Sequence, residues 1–266
     1  ECLKITEQRL GKRPDSRDPT PEGALLEAFT LDGRRVRAPR RQGRRPILPL
    51  GAVIGGRYEV EGLLGTGAFA DVYRARDRDV TDHVVALKIL RTAAKDEQSV
   101  HTALRELQLI ASVFHPSVVQ LKDHGWHNGQ LWFVMPLYRG ETLTQRLTRG
   151  PLSRREAREI FEPLAEALAT MHRAGVLHQD IKPDNVFLAN LDPDETQRDA
   201  RDARTRILPV LLDLGVAAKD AELVLAGTPA YFAPEVAARF AGAPDPAPVG
   251  PKSDMFSLAL TLRSAL

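Results

Sequence analysis

The hydrophobic texture of this chain changes near Gly140, and that change limits the folds open to it. Before it, residues 58–64, 70–75 and 84–90 are β-rich runs separated by glycines and Asp-rich turns. A helical pattern follows, with Ala103, Leu107, Ile110 and Phe114 at three- or four-residue spacing up to His115-Pro116. Strand-like runs at 118–122 and 131–137 complete about 80 residues of sheet with one helix, the content of a small lobe. After Gly140 the chain is mostly helical. Residues 155–173 carry Ile160, Leu164, Leu168 and Met171 on one stripe. Pro163 inside that run either kinks the helix or marks a start, and Gly175 suits its C-terminal cap. Short strands are expected at 186–188 and 207–212. Between them, residues 190–206 are charged, nearly without large apolar side chains, and read as an exposed loop. A sheet-rich part followed by a helix-rich part is an α+β arrangement.

Bulk properties add limits. The 266 residues suffice for one large domain or two lobes with a buried core. Hydrophobic residues at 43% and charged residues at 27% are ordinary for a soluble globular protein. The formal charge of +2 is too small to imply a nucleic-acid partner, and none is expected. Its distribution says more: residues 1–55 hold 12 Lys/Arg against 7 Asp/Glu, and the remainder is slightly acidic. Six prolines from Pro14 to Pro49 break up residues 1–50, and seven arginines fall between Arg34 and Arg45. Such a run reads as a solvated linker; an arm for anionic lipid or nucleic acid is the sharper alternative. Residues 25–31 form one short helix or strand. Cys2 has no partner for a disulfide, which suits a reducing compartment. No apolar run approaches the roughly 20 residues of a membrane helix. No signal peptide is visible, although the chain begins at Glu1 rather than methionine.

The reactive residues are concentrated in a few runs. His178-Gln179-Asp180-Ile181-Lys182-Pro183-Asp184-Asn185 and Asp213-Leu214-Gly215 supply a carboxylate, an ammonium, an amide and a second carboxylate. Those are the parts needed to move a phosphoryl group: a proton acceptor, a charge to offset the phosphate, and two oxygen ligands for magnesium. His178 reads as a packed structural histidine and Asp184 as a surface or turn residue. Gly65-Thr66-Gly67-Ala68-Phe69-Ala70-Asp71-Val72 lies between two strands, where glycines let backbone amides approach phosphates. An ordinary glycine-rich hairpin fits that run equally well. Lys88, in the apolar run 84–90, is either an outward surface lysine or a phosphate-binding one held by a helix carboxylate, for which Glu106 is the natural candidate. Gly227-Thr228-Pro229-Ala230-Tyr231-Phe232-Ala233-Pro234-Glu235 is turn-rich.

Taken in this order, the runs resemble the eukaryotic-like serine/threonine protein kinases, most nearly their bacterial branch. The resemblance covers about residues 50–266 and rests on the ordered set rather than on any single motif. It implies a bilobal fold: an extension at 1–50, a β-rich small lobe and hinge at 51–138, and a helical large lobe at 139–266. It implies ATP with magnesium or manganese between the lobes, and a protein substrate with a Ser or Thr hydroxyl. Leu64, Gly65 and Gly67 would cover the nucleotide, and Lys88 would contact its phosphates while paired to Glu106. Val72, Ala86 and Phe187 would sandwich adenine, with Met135 behind it and Pro136 and Tyr138 in the hinge. Asp180 would orient and deprotonate the hydroxyl, Lys182 would steady the phosphate, and Asn185 and Asp213 would hold the metal. Leu121, Ile110, Leu214 and His178 match a column linking the lobes. Lys182 and Thr228 favour serine/threonine over tyrosine as acceptor. A cytoplasmic location is expected, with membrane contact not evident. A pseudokinase binding module and a small-molecule phosphotransferase are the competing readings; the full set of site residues disfavours the first, and the 227–235 segment, which resembles a peptide-docking loop, disfavours the second.

Four departures qualify the resemblance. Gln179 replaces the arginine that reads an activation-loop phosphate, and residues 216–227 contain no Ser, Thr or Tyr. Activity independent of phosphorylation in that loop is expected. Leu214 replaces phenylalanine. Asn185 and Asp213 stand 28 positions apart, longer than usual, with the excess at 190–206. Asp254 resembles the aspartate that opens a central helix of the large lobe, so the sequence stops at Leu266 inside that helix. Glu235 is then expected to lack its arginine partner, and the chain alone to be unstable or inactive.

Overall fold

The computed structural model describes residues 27–29, 35–37, 45–67, 70–93, 107–108, 111–191, 206–212, 218–219 and 228–266. Strands β1 (Glu27–Phe29) and β2 (Arg35–Arg37) pair antiparallel, so the described part of the 25–31 segment is strand rather than helix. The small lobe is a six-stranded antiparallel sheet of β3 (Val53–Ile54), β4 (Tyr58–Thr66), β5 (Ala70–Asp77), β6 (Val84–Ala93), β7 (Asp123–His127) and β8 (Gln130–Pro136), in the order β3-β4-β5-β6-β8-β7. Alternation sorts its residues by face. Tyr73, Ala75, Leu87, Ile89 and Val134 are buried on one side, where Leu48, Ile54 and Trp132 join them. Leu48 was placed by sequence in the extension, yet it is 5% exposed and belongs to this core. The β4–β5 ladder slips at two places, between Val60 and Gly62 and between Leu63 and Gly65. Such bulges bend a strand and re-aim its end, here the end that carries Gly65 and Gly67.

Two expectations for the small lobe are corrected. Phe114 is 82% exposed and is not part of a buried stripe; Val113, 2% exposed, takes its place where the chain leaves the helix after residue 112. The 118–122 run is not a strand. Val118 and Val119 are both buried, as a half-exposed strand does not allow, and they meet the large lobe through a single parallel bridge to Leu211. The strand begins one residue later, at Asp123.

The large lobe contains β9 (Gly140–Thr142), α1 (Leu143–Leu147), α2 (Arg154–Arg173), β10 (Val176–Leu177), β11 (Val186–Asn190), β12 (Ile207–Leu211), β13 (Ala218–Lys219), α3 (Pro234–Phe240) and α4 (Pro251–Ala265). Helix α2 begins at a reciprocal cap: Ser153 Oγ accepts from Glu156 N–H, and the Glu156 carboxylate accepts from Ser153 N–H. It ends with Gly175 at φ +70, a backbone position that glycine occupies without strain. Pro163 lies inside a continuous helix. The carbonyl that loses its donor belongs to Glu159, which is exposed. Ile160, Leu164, Leu168 and Met171 are all buried, as their spacing requires. Each such side chain contributes about 1.5–3 kcal/mol on burial. They pack on β11, β12 and α4, through Val186, Val210, Leu211 and Leu258.

Candidate active site

Strand register brings the small-lobe candidates to one face. Residues directly opposite in an antiparallel ladder share a face. Val72 lies opposite Lys88, and Ala86 opposite Met135; Ala86 and Lys88 are two residues apart on β6. Val72, Ala86, Lys88 and Met135 therefore look the same way, away from the core that holds Tyr73 and Leu87. Lys88 is 7% exposed, so it is not an outward surface lysine. Its ammonium stands 5.6 Å from the centre of the Phe133 ring. Leu64 is half exposed beside Gly65 on β4. Glu106 and Ile110 lie outside the described residues, and so do Asp213 and Leu214.

Met135, Tyr138 and Phe187 pack on the core of the large lobe, which places them where the two lobes join. The Tyr138 and Phe187 rings are 6.3 Å apart between centroids. Burial pushes the Tyr138 phenol above its usual range. Pro136 ends β8, opposite Val85. Just beyond, Gly140 adopts φ +141, and a Cβ there would stand 2.0 Å from the Leu188 carbonyl oxygen. Only glycine fits, and β9 can then pair with β11 alongside Phe187.

The central cluster lies between β10 and β11. Lys182 Nζ donates to Asp180 Oδ2 at 2.7 Å and to Thr228 Oγ1 at 2.9 Å. Asn185 Nδ2 donates to the Asp180 carbonyl at 2.7 Å and to Asp180 Oδ2 at 2.8 Å. Pro183 and Asn185, in a 3-10 turn, are buried, while Asp184 is exposed as expected. With its amide nitrogen given to Asp180, Asn185 has its side-chain oxygen left for a cation. Neutral and anionic oxygens are the donors magnesium and manganese accept.

The backbone of this loop is held from below. Gln179 takes φ +64, unusual for a residue with a side chain. Asp254 offsets the strain: its carboxylate accepts from His178 N–H and from Gln179 N–H, both at 2.8 Å, and from His172 Nε2 at 2.8 Å. His178 is fully buried, and its Nε2 bonds the Leu212 carbonyl at 3.0 Å, fixing the end of β12 immediately before Asp213. The structural role expected of His178 agrees with this. Asp254 was read from sequence only as the opening of a helix; no local pattern signals a contact across 75 residues. Glu235, for which no arginine partner was expected, is half-buried and accepts from Ser253 Oγ through Oε1 at 2.5 Å.

Comparison with known proteins agrees with this geometry. The family model described as "Protein kinase domain" matches residues 58–266. Serine/threonine-protein kinase ULK3 of Rattus norvegicus is 33% identical over 181 residues, 66% of this chain and 36% of that protein. Serine/threonine-protein kinase pkn2 of Myxococcus xanthus is 30% identical over 220 residues, 80% of this chain and 25% of that protein. The chain thus spans about a third or less of the length of these relatives. The crystal structure of the Mycobacterium tuberculosis PknI kinase domain superimposes with a TM-score of 0.61 at 30% identity, covering 82% of this chain and 77% of that one. A sheet-rich lobe, a helical lobe, and an aspartate, lysine, asparagine and threonine gathered at one loop all follow the pattern of a single family, and the chain belongs to it: it is a protein kinase of the eukaryotic-like serine/threonine type with bacterial relatives.

Proposed function

We propose that this chain transfers the γ-phosphate of ATP to Ser or Thr hydroxyls of protein substrates. The observation that carries the reading is Lys182, whose ammonium bonds the Asp180 carboxylate at 2.7 Å and the Thr228 hydroxyl, 46 residues further along the chain, at 2.9 Å. A proton acceptor, a phosphate-facing cation and the start of a docking segment are thereby held as one unit.

Asp180 orients the incoming hydroxyl and accepts its proton through Oδ1, the oxygen engaged by neither Lys182 nor Asn185. Lys182 offsets charge on the phosphate in transit. Lys88, paired to Glu106, holds the nucleotide's phosphates, and Leu64, Gly65 and Gly67 cover them. Val72, Ala86 and Phe187 enclose adenine, with Met135 behind it. The Pro136 carbonyl and the Tyr138 amide bind its edge; proline loses only the N–H, which that position does not use. Asn185 and Asp213 would hold magnesium or manganese, which would supply positive charge to offset that of the phosphates. Catalysis is then mostly positioning, because the chain forms no covalent bond to the phosphate. A cytoplasmic location is part of the proposal. No described helix is long and apolar enough to cross a membrane.

The test is labelled-phosphate transfer from ATP to protein Ser/Thr by the full-length protein. Asp180→Asn is expected to lower the rate about 10²–10⁴-fold while ATP binding persists, and Asp213→Asn to abolish the metal-dependent rate. ATP binding without transfer in the wild type would instead support a binding module.

A further inference from the structure

The sheet face opposite Lys88 contains a carboxylate with no part in the chemistry above. Asp71 follows the glycine loop on β5 and is fully buried. Arg91 Nη2, from β6, donates to its Oδ1 at 2.5 Å. Its Oδ2 accepts from the Ile47 N–H at 3.0 Å and from the Tyr73 hydroxyl at 3.1 Å. That hydroxyl accepts in turn from the Leu48 N–H at 2.9 Å. Arg91 has a second contact: its Nε donates to the Gly67 carbonyl at 3.3 Å. The Gly67 N–H donates to the Ala70 carbonyl at 2.8 Å, so both polar groups of this glycine are engaged. One planar guanidinium thus grips the glycine loop with one nitrogen and a buried carboxylate with another. The family match begins at Tyr58, so Ile47 and Leu48 lie outside it.

We infer that Asp71 and Arg91 are positioning residues for the phosphate-covering loop, and that the lead segment at Ile47 and Leu48 completes their support. The inference rests on the kinase reading. A fully buried carboxylate holds its cation firmly, because separating them leaves an uncompensated charge in the interior. Arg91 therefore stays on Asp71, and Gly67 is held by the other edge of the same group. The lead segment donates to that carboxylate from the far side. Loosening either attachment lets the loop drift from the phosphates while Val72, Ala86 and Met135, on the opposite face, keep their places around adenine. The signature is a selective loss of phosphate recognition, which a general loss of structure does not produce.

The experiment is isothermal titration of the full-length protein with magnesium-ATP and, separately, with adenosine. Arg91→Lys keeps a positive charge beside Asp71, but a single ammonium does not span to Gly67 as well. Ile47→Pro deletes the N–H that the lead segment donates to the Asp71 carboxylate. Each is expected to raise the Kd for ATP about three- to tenfold, the range of one lost hydrogen bond, with adenosine changed by less than about twofold. An unmoved ATP-to-adenosine ratio in either variant overturns the inference, including the case where both ligands weaken together. A wild type that fails to bind magnesium-ATP at all overturns the kinase reading itself, and is read off before any variant is compared.

Discussion

At the scale of single residues, Gln179 stands where the family resemblance implies an arginine. Its backbone has the left-handed conformation, at φ +64, and its N–H is held by Asp254. The loop shape is therefore secured by a carboxylate from α4 rather than by whatever side chain stands at 179. Removing the Asp254 carboxylate would leave two inner N–H groups unpaired, each costing about 1–3 kcal/mol. With glutamine at 179 there is no guanidinium to read a phosphate, and residues 216–227 offer no hydroxyl to carry one. Phosphatase treatment of the active full-length protein is accordingly expected to leave the transfer rate within about twofold. A loss of most activity would show that a phosphate elsewhere does the organising.

At the scale of elements, helix α2 and the β11–β12 hairpin set the frame. The first turn of α2 carries Glu156, whose carboxylate is bonded by Arg146 and by the Ser153 N–H. The Arg146 guanidinium, followed by the Ser153 bonds, pulls it down from 4.5 to about 2. A depressed carboxyl contributes stability that is fully present above its unfolded value and is lost as pH falls through the folded one. The contribution should therefore hold above about pH 4.5 and disappear towards pH 2. Because the Glu156 side chain is 41% exposed, solvent screening limits it to no more than about 1 kcal/mol. Thermal melts of the wild type and Glu156→Gln are expected to differ near neutral pH and to converge as pH approaches 2. A gap that persists there would assign the effect to packing instead of charge.

At the scale of the molecule, the site depends on two separately packed lobes. The small lobe aligns Lys88 and the adenine-facing positions through strand register, and the large lobe gathers Asp180, Lys182, Asn185 and Thr228 through one loop and α4. The β11–β12 ladder closes at Asn190 opposite Ile207, with the Leu191 N–H donating to the Arg206 carbonyl at 2.9 Å. Residues 192–205 join strands whose pairing is already complete. Replacing them with a two-residue type I′ turn such as Asn-Gly is expected to leave the ATP Kd of the full-length protein within about twofold. A large loss would give that connection a part in the site.

Much of this architecture was legible in the sequence because it rests on local physics. Period-two and period-3.6 patterns place β4, β5, β6, β8 and α2, since the burial of one face is written into consecutive residues. The catalytic loop was legible because its reactive residues sit within eight positions. Phe114 and the 118–122 run misled for the converse reason: apolar residues on a connector are sorted by which lobe they meet, and short-range spacing does not encode that. The sequence by itself determined the family, the order of the motifs and the residue types available to the chemistry. Only the tertiary structure decided that Asp254 holds the loop at Gln179, that Ser253 partners Glu235, and that Asp71 ties Ile47 to Arg91 and the glycine loop. Those contacts join residues 18 to 75 positions apart. A buried carboxylate must find donors, but which donors reach it depends on how whole elements pack.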